Sequence, residues 1–120
     1  MAPIIQWNCR GVRPNREELD ILIQSKNPMA ICLQETKLNS KNSLSVKNYS
    51  CFLKNLTSEV AHGGVMILVS NSTPHSEITL VTELQAVAVR ITSHRPISLY
   101  SLYLPPNLPI NLRYLENLVN

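Results

Sequence analysis

Two short stretches put polar side chains where apolar runs stop. Leu33-Gln34-Glu35-Thr36-Lys37 sets a carboxylate after an apolar run, and Ile4-Ile5-Gln6-Trp7-Asn8-Cys9-Arg10-Gly11 ends another run on a carboxamide. Magnesium prefers oxygen ligands, keeps several waters and often takes only one or two protein carboxylates, with substrate phosphate supplying the rest. Glu35 could therefore anchor such an ion. Asn8 both donates and accepts, so its amide could orient a phosphate oxygen or a metal-bound water. Tyr103 stands just before Pro105 and Pro106, where its hydroxyl could donate to a phosphate. Tyr100 is an odd number of residues away and faces the other side of a regular strand. The same residues are also what solvated strand ends and core-edge aromatics look like. Residue types and spacing leave both readings open.

The elements around these residues decide whether they can meet. Ile4 to Asn8 reads as a short strand and Gly11 to Pro14 as a loop. Asn15 is placed to cap a helix, with Glu18 as its capping-box partner and Glu17 adding favourable charge at the dipole's positive end. Leu19, Leu22 and Ile23 give that helix one apolar face. It should stop near Lys26-Asn27, because Pro28 biases the residue before it away from helix. Met29 to Leu33 is a continuous apolar run, as expected of a strand covered on both faces. Strand, helix and strand within about 30 residues form a βαβ unit with parallel strands. Asn8 and Glu35 then lie at the same edge of the sheet, and in open α/β sheets ligands bind beyond the carboxyl ends of the strands.

After a polar stretch from Asn39 to Ser50, four more strands are predicted: Cys51 to Lys54, Gly64 to Ser70, Ala86 to Thr92 and Ile97 to Tyr103. Val65 to Val69 is wholly apolar and so central. Ser93-His94-Arg95-Pro96 is short enough to make the last two a hairpin. Gly63-Gly64 reads as a loop feeding a buried strand, since a phosphate-binding fingerprint needs more glycines at set spacing. Asn111 to Val119 is predicted to begin a further helix. His62, His75 and His94 all fall in predicted loops with no carboxylate close in sequence to fix a tautomer.

A chain of 120 residues that is 44% hydrophobic is expected to form one domain, burying roughly two-thirds of the surface it exposes unfolded. A net charge of +3 and a pI of about 8.9 suit contact with a polyanion without demanding it. Cys9, Cys32 and Cys51 are odd in number and lack zinc-ligand spacing, which favours free thiols in a reducing compartment. Met1-Ala2-Pro3 lacks the features of a signal peptide. No apolar run approaches the ~18 residues of a membrane span. The expectation is an intracellular protein with no membrane partner.

In order and interval, IIQWNCRG, ICLQETKL, HGGVMILVS and YSLYLPPN closely resemble the N-terminal half of the endonuclease domain of non-LTR retrotransposons of the LINE and jockey-like kind. That domain belongs to the endonuclease/exonuclease/phosphatase superfamily, and the resemblance covers essentially the whole chain. It implies an α/β fold, part of a four-layer DNase-like sandwich with two packed sheets. Residues 1–120 would then be a single incomplete domain with its C-terminal half missing, a mixed β-sheet with flanking helices. The implied activity is a Mg²⁺-dependent (Mn²⁺ possible) endonuclease that nicks target DNA. A reverse transcriptase domain of the same parent polypeptide then primes on the exposed 3′-hydroxyl, which places the action on genomic DNA in the nucleus. Carried over by position, Asn8 matches the family's active-site asparagine, Glu35 its metal-binding glutamate and Tyr103 the tyrosine that contacts the scissile phosphate. Asn8 shares the metal's surroundings with Glu35. Arg10 lies in the first motif without a catalytic role.

The G-D-F-N-type block and the late S-D-H-type block of the family are not present in these residues, so no histidine here inherits the water-activating role. Hydrolysis of a phosphodiester needs an activated water, charge stabilisation and in-line geometry. The chain by itself is therefore expected to be inactive. The missing half is also expected to supply the partner sheet, leaving much of one sheet face exposed. Alternative readings are a phosphoinositide phosphatase or apurinic repair nuclease of the same superfamily, or a noncatalytic half-domain that holds nucleic acid through its Lys and Arg residues.

Overall fold

In the computed structural model, residues 2–38, 44–54, 63–81 and 85–103 are described. The elements run β1 (Ile4–Asn8), α1 (Arg16–Lys26), β2 (Ala30–Gln34), β3 (Tyr49–Lys54), β4 (Val65–Ser70), β5 (His75–Ile78), β6 (Gln85–Thr92) and β7 (Pro96–Tyr103). They form a mixed four-stranded sheet in the order β1-β2-β4-β3 and an antiparallel three-stranded sheet in the order β5-β6-β7. The expected βαβ unit is present, with β1 and β2 parallel and Asn8 opposite Gln34. The wholly apolar β4 lies between β2 and β3, and β6 and β7 form the expected hairpin.

Alternation along the strands sorts the core into two layers. Ile31, Leu33, Met66 and Leu68 turn to one side of the mixed sheet, where they meet Leu19 of α1, Val12, Leu38 and Val46, with Ile5, Trp7 and Ile23 at the margin. Ala30, Cys32, Val65, Ile67 and Val69 turn to the other side and meet Val87, Val89 and Ile91 of the second sheet. The result is helix on sheet on sheet. The second sheet is therefore made by this chain's own residues, and the expectation that a missing half must supply it is corrected. Val87, Val89 and Ile91 recur at every second position of β6, and Ile97 and Leu99 stand opposite Ile91 and Val89 on β7, which gives the hairpin one apolar face against β2 and β4. The edge strand β1 keeps one open face: Ile4 is 41% exposed, and Gln6 and Asn8 are exposed.

Helix α1 departs from the expected cap. Asn15 occupies the N-cap position without a side-chain capping bond; instead its Nδ2 donates to the carbonyls of Cys9 (2.7 Å) and Gly11 (3.0 Å). A carboxamide turned back to the preceding loop has no oxygen directed at the first helical turn, so the predicted capping box does not form. At the other end Asn27 adopts the left-handed conformation and donates its N–H to the Ile23 carbonyl, which ends the helix where expected. Strand β5 was not predicted. Its residues, His-Ser-Glu-Ile, are short and polar because β5 is an edge strand. His75 thus lies in a strand, packed edge-on against Phe52 with ring centroids 5.6 Å apart. The helix predicted over Asn111 to Val119 and the loop histidine His62 lie outside the described residues. Among the described residues, no helix is long and apolar enough to cross a membrane.

Candidate active site

Because β1 and β2 run parallel, their carboxyl ends leave the mixed sheet at one rim. Beyond them the two chains stay paired as loops. Cys9 N donates to Gln34 O (3.1 Å), Gly11 N to Glu35 O (2.7 Å) and Val12 N to Thr36 O (3.0 Å). The second loop is paired in turn with the residues that lead into β4: Thr36 N donates to Gly64 O (3.3 Å) and Lys37 N to Gly63 O (2.8 Å). Three loops are thus stitched by backbone bonds into one ledge.

The ledge requires unusual backbone. Arg10, Glu35 and Lys37 have φ of 51°, 53° and 54°, and Gly11, Gly63 and Gly64 have φ of 103°, 61° and 89°. Positive φ costs a non-glycine residue of order 1–3 kcal/mol and persists only where surroundings over-determine it. Here the loop-to-loop hydrogen bonds do so. Gly64 is further required because a Cβ there would lie 2.5 Å from Thr36 Oγ1. That hydroxyl is itself buried and without a hydrogen-bond partner among the described residues.

Asn8 and Glu35 leave the sheet at this one rim, Asn8 as the last residue of β1, opposite Gln34, and Glu35 directly after β2. Asn8 is exposed and Glu35 half-buried. No hydrogen bond or ion pair among the described residues engages either side chain, so both remain available to a ligand. Beneath them Cys9 Sγ lies 3.4 Å from Gln34 O and 3.7 Å from Glu35 O, as a weak donor. Burial pushes the Cys9 thiol pKa up, opposed by backbone hydrogen bonding, with the negative charge of Glu35 raising it further. The thiol is protonated at neutral pH and serves the loop as a donor.

Tyr103 comes to the same rim from the second sheet. It is the last residue of β7 and pairs with Gln85, the first residue of β6; its side chain lies outside the description. Gln85 Oε1 accepts the N–H of Gly64 (2.8 Å), which links the start of β6 to the ledge. A second link is buried. Gln34 Nε2 donates to Ser101 Oγ (2.9 Å), Ser101 Oγ donates to Leu33 O (2.9 Å), and Gln6 Nε2 donates to Gln34 Oε1. The three residues named from the sequence are therefore carried to one rim by strands of both sheets. Gln34, Ser101 and Gln85 were not singled out in the sequence. One polar residue inside or beside an apolar strand is a common pattern, and only the sheet-to-sheet register shows that these are partners.

Among the described residues no three His, Cys, Asp or Glu side chains are grouped so as to hold a metal. A dedicated all-protein cage is therefore not what this rim offers. One unpaired carboxylate and one unpaired carboxamide at the same rim fit an ion of the magnesium kind, which keeps its waters and shares its ligands with a phosphate.

The architecture of two packed sheets with a helix on the outer face of one is the DNase-like α/β fold. No family model and no curated protein matches the sequence. Among solved structures, the chain is similar to the endonuclease domain of TRAS1, a telomere-specific non-LTR retrotransposon, with a TM-score of 0.73 and 21% identity over 95% of this chain and 50% of that one. It is similar to an AP endonuclease from Archaeoglobus fulgidus, with a TM-score of 0.72 and 17% identity over 98% of this chain and 49% of that one. It is also similar to the AP endonuclease LMAP from Leishmania major, with a TM-score of 0.67 and 21% identity over 94% and 43%. The chain spans about half the length of these solved structures or slightly less.

Proposed function

We propose that residues 1–120 are one half of a metal-dependent DNA endonuclease that nicks target DNA for a retrotransposon. In this reading Glu35 binds a hydrated Mg²⁺, or Mn²⁺ in its place, and Asn8 orients a metal-bound water or a phosphate oxygen. Tyr103 donates to the scissile phosphate from the second sheet. The observation that carries the reading is that an unpaired carboxylate and an unpaired carboxamide leave parallel strands at one rim, built by paired loops. The ion would supply charge stabilisation at the phosphate; the protein residues bind, orient and donate hydrogen bonds. The retrotransposon branch is favoured by the motifs of the first strand and by the likeness to the TRAS1 domain. In that branch a reverse transcriptase of the same polypeptide would use the nick in genomic DNA, within the nucleus. The AP endonuclease likenesses favour, as a second reading, a repair nuclease acting on the same phosphodiester.

Among the described residues no three His, Cys, Asp or Glu side chains are grouped as a metal site, and no histidine inherits the water-activating role, so the 120-residue chain alone is expected not to cleave. Plasmid nicking in Mg²⁺ tests both statements. The isolated chain should leave supercoiled plasmid intact. The product of a longer reading frame that contains these residues should nick it, and Glu35→Ala in that product should abolish nicking. Unchanged nicking by the Glu35→Ala protein contradicts the metal role.

A further inference from the structure

We propose that Gln85, together with the buried Gln34–Ser101 pair, is a positioning device that sets the separation between Glu35 on one sheet and Tyr103 on the other. This rests on the metal reading above, in which both residues must face one ion-bound phosphate.

The two sheets meet mainly through aliphatic side chains: Ala30, Val65, Ile67 and Val69 against Val87, Val89 and Ile91. Such contacts are non-directional and fix a sliding register weakly. Hydrogen bonds are directional, and a buried polar chain that is fully satisfied specifies one arrangement. Both sheet-to-sheet clasps described above lie at the rim. The first joins Leu33 and Gln34, directly before Glu35, to Ser101, two residues before Tyr103. Ser101 is fully buried and Gln34 nearly so, and each side chain in this chain of bonds has a partner.

The second clasp is more direct. Thr36, the neighbour of Glu35, donates its N–H to Gly64 O; Gly64 donates its own N–H to Gln85 Oε1; and Gln85 is the strand partner of Tyr103. A single side-chain acceptor therefore connects the Glu35 loop to the Tyr103 strand end. Gln85 needs only an acceptor oxygen to do this, which separates its role from packing. Glutamate keeps the acceptor and leucine removes it with little change in volume.

The test uses the ¹⁵N-labelled 120-residue chain, with free Mn²⁺ as the paramagnetic probe. In the wild type, Mn²⁺ should broaden the amide signals of Asn8, Glu35 and Tyr103 together. In Q85L the broadening at Asn8 and Glu35 should persist while that at Tyr103 falls several-fold relative to Glu35. Q85E should restore the wild-type ratio, and S101A should shift it in the same sense as Q85L. Amide hydrogen exchange at Thr36 and Lys37, measured without metal, should be faster in Q85L but not in Q85E. Equal exchange and an equal Tyr103-to-Glu35 ratio in Q85L and wild type would overturn the proposal, as would a Q85E protein as impaired as Q85L. A wild-type chain whose rim amides ignore Mn²⁺ overturns the metal reading instead, and the exchange comparison then decides the clasp by itself.

Discussion

The two ends of the four-stranded sheet solve the same problem differently. At the end away from the candidate site, Met29 N donates to Pro3 O (2.7 Å), Ser70 N to Met29 O and Asn71 N to Asn48 O (2.9 Å each). The Tyr49 hydroxyl closes that end on Pro28 O at 2.7 Å. At the other end the backbone is equally well paired, yet Asn8 and Glu35 are held out with no partner among the described residues. Positive φ recurs at Arg10, Gly11, Glu35, Lys37, Gly63 and Gly64 on that side. What sets the rim apart is therefore the pair of polar side chains left without partners, since left-handed backbone also occurs at the far end, at Asn27 and Asn48.

The largest effect that sharpens this contrast belongs to the core between the ends. Ile67 is fully buried in β4, so Ile67→Ala should cost about 2–5 kcal/mol in urea unfolding. Asn8→Ala, at the exposed rim, should change stability by no more than about 0.5 kcal/mol. A destabilisation by Asn8→Ala as large as that by Ile67→Ala would make the rim a structural feature after all.

The ledge itself ranks next. Gly64→Ala meets both a positive φ and the Thr36 hydroxyl, and about 1–3 kcal/mol of stability should be lost. Thr36→Val replaces a buried, unpartnered hydroxyl by a methyl of the same shape. It should be neutral or stabilising by roughly 1 kcal/mol in the same unfolding experiment. Loss of stability in the valine variant would mean that the hydroxyl has a partner.

A smaller effect lies in the thiols. Burial pushes Cys32 and Cys51 up to about 11 from an ordinary value of 9.0. The folded chain thus holds these protons to higher pH than the unfolded chain does. The stability they contribute is present below about pH 9 and is lost as pH rises through about 11. Thermal midpoints should be flat near neutrality and fall across that window, and Cys32→Ala should make the fall shallower. The smallest effect is kinetic. A thiol-specific reagent should label half-buried Cys51 first, while buried Cys9 and Cys32 react only as the chain opens.

Much of this was legible in the residues. The apolar runs and the Asn27-Pro28 stop located β1, α1 and β2, and the parallel pairing followed from the length of the connection. That placed Asn8 and Glu35 on one rim before any coordinates. The polar edge strand β5 was not legible, because its His-Ser-Glu-Ile has no alternation to read. Nor was the self-supplied second sheet, since strand patterns fix which residues face inward but not which sheet they face. Asn15 shows a further limit. Its type predicts a cap, yet tertiary context turns its amide to Cys9 and Gly11.

The central claim is that Glu35 binds a divalent cation at the rim it shares with Asn8. The most direct measurement is the map of Mn²⁺-induced amide broadening in the 120-residue chain and in its Glu35→Gln variant. The account predicts broadening centred on Asn8, Cys9, Glu35 and Thr36 that disappears in the variant. Broadening centred elsewhere, or unchanged in Glu35→Gln, would contradict it.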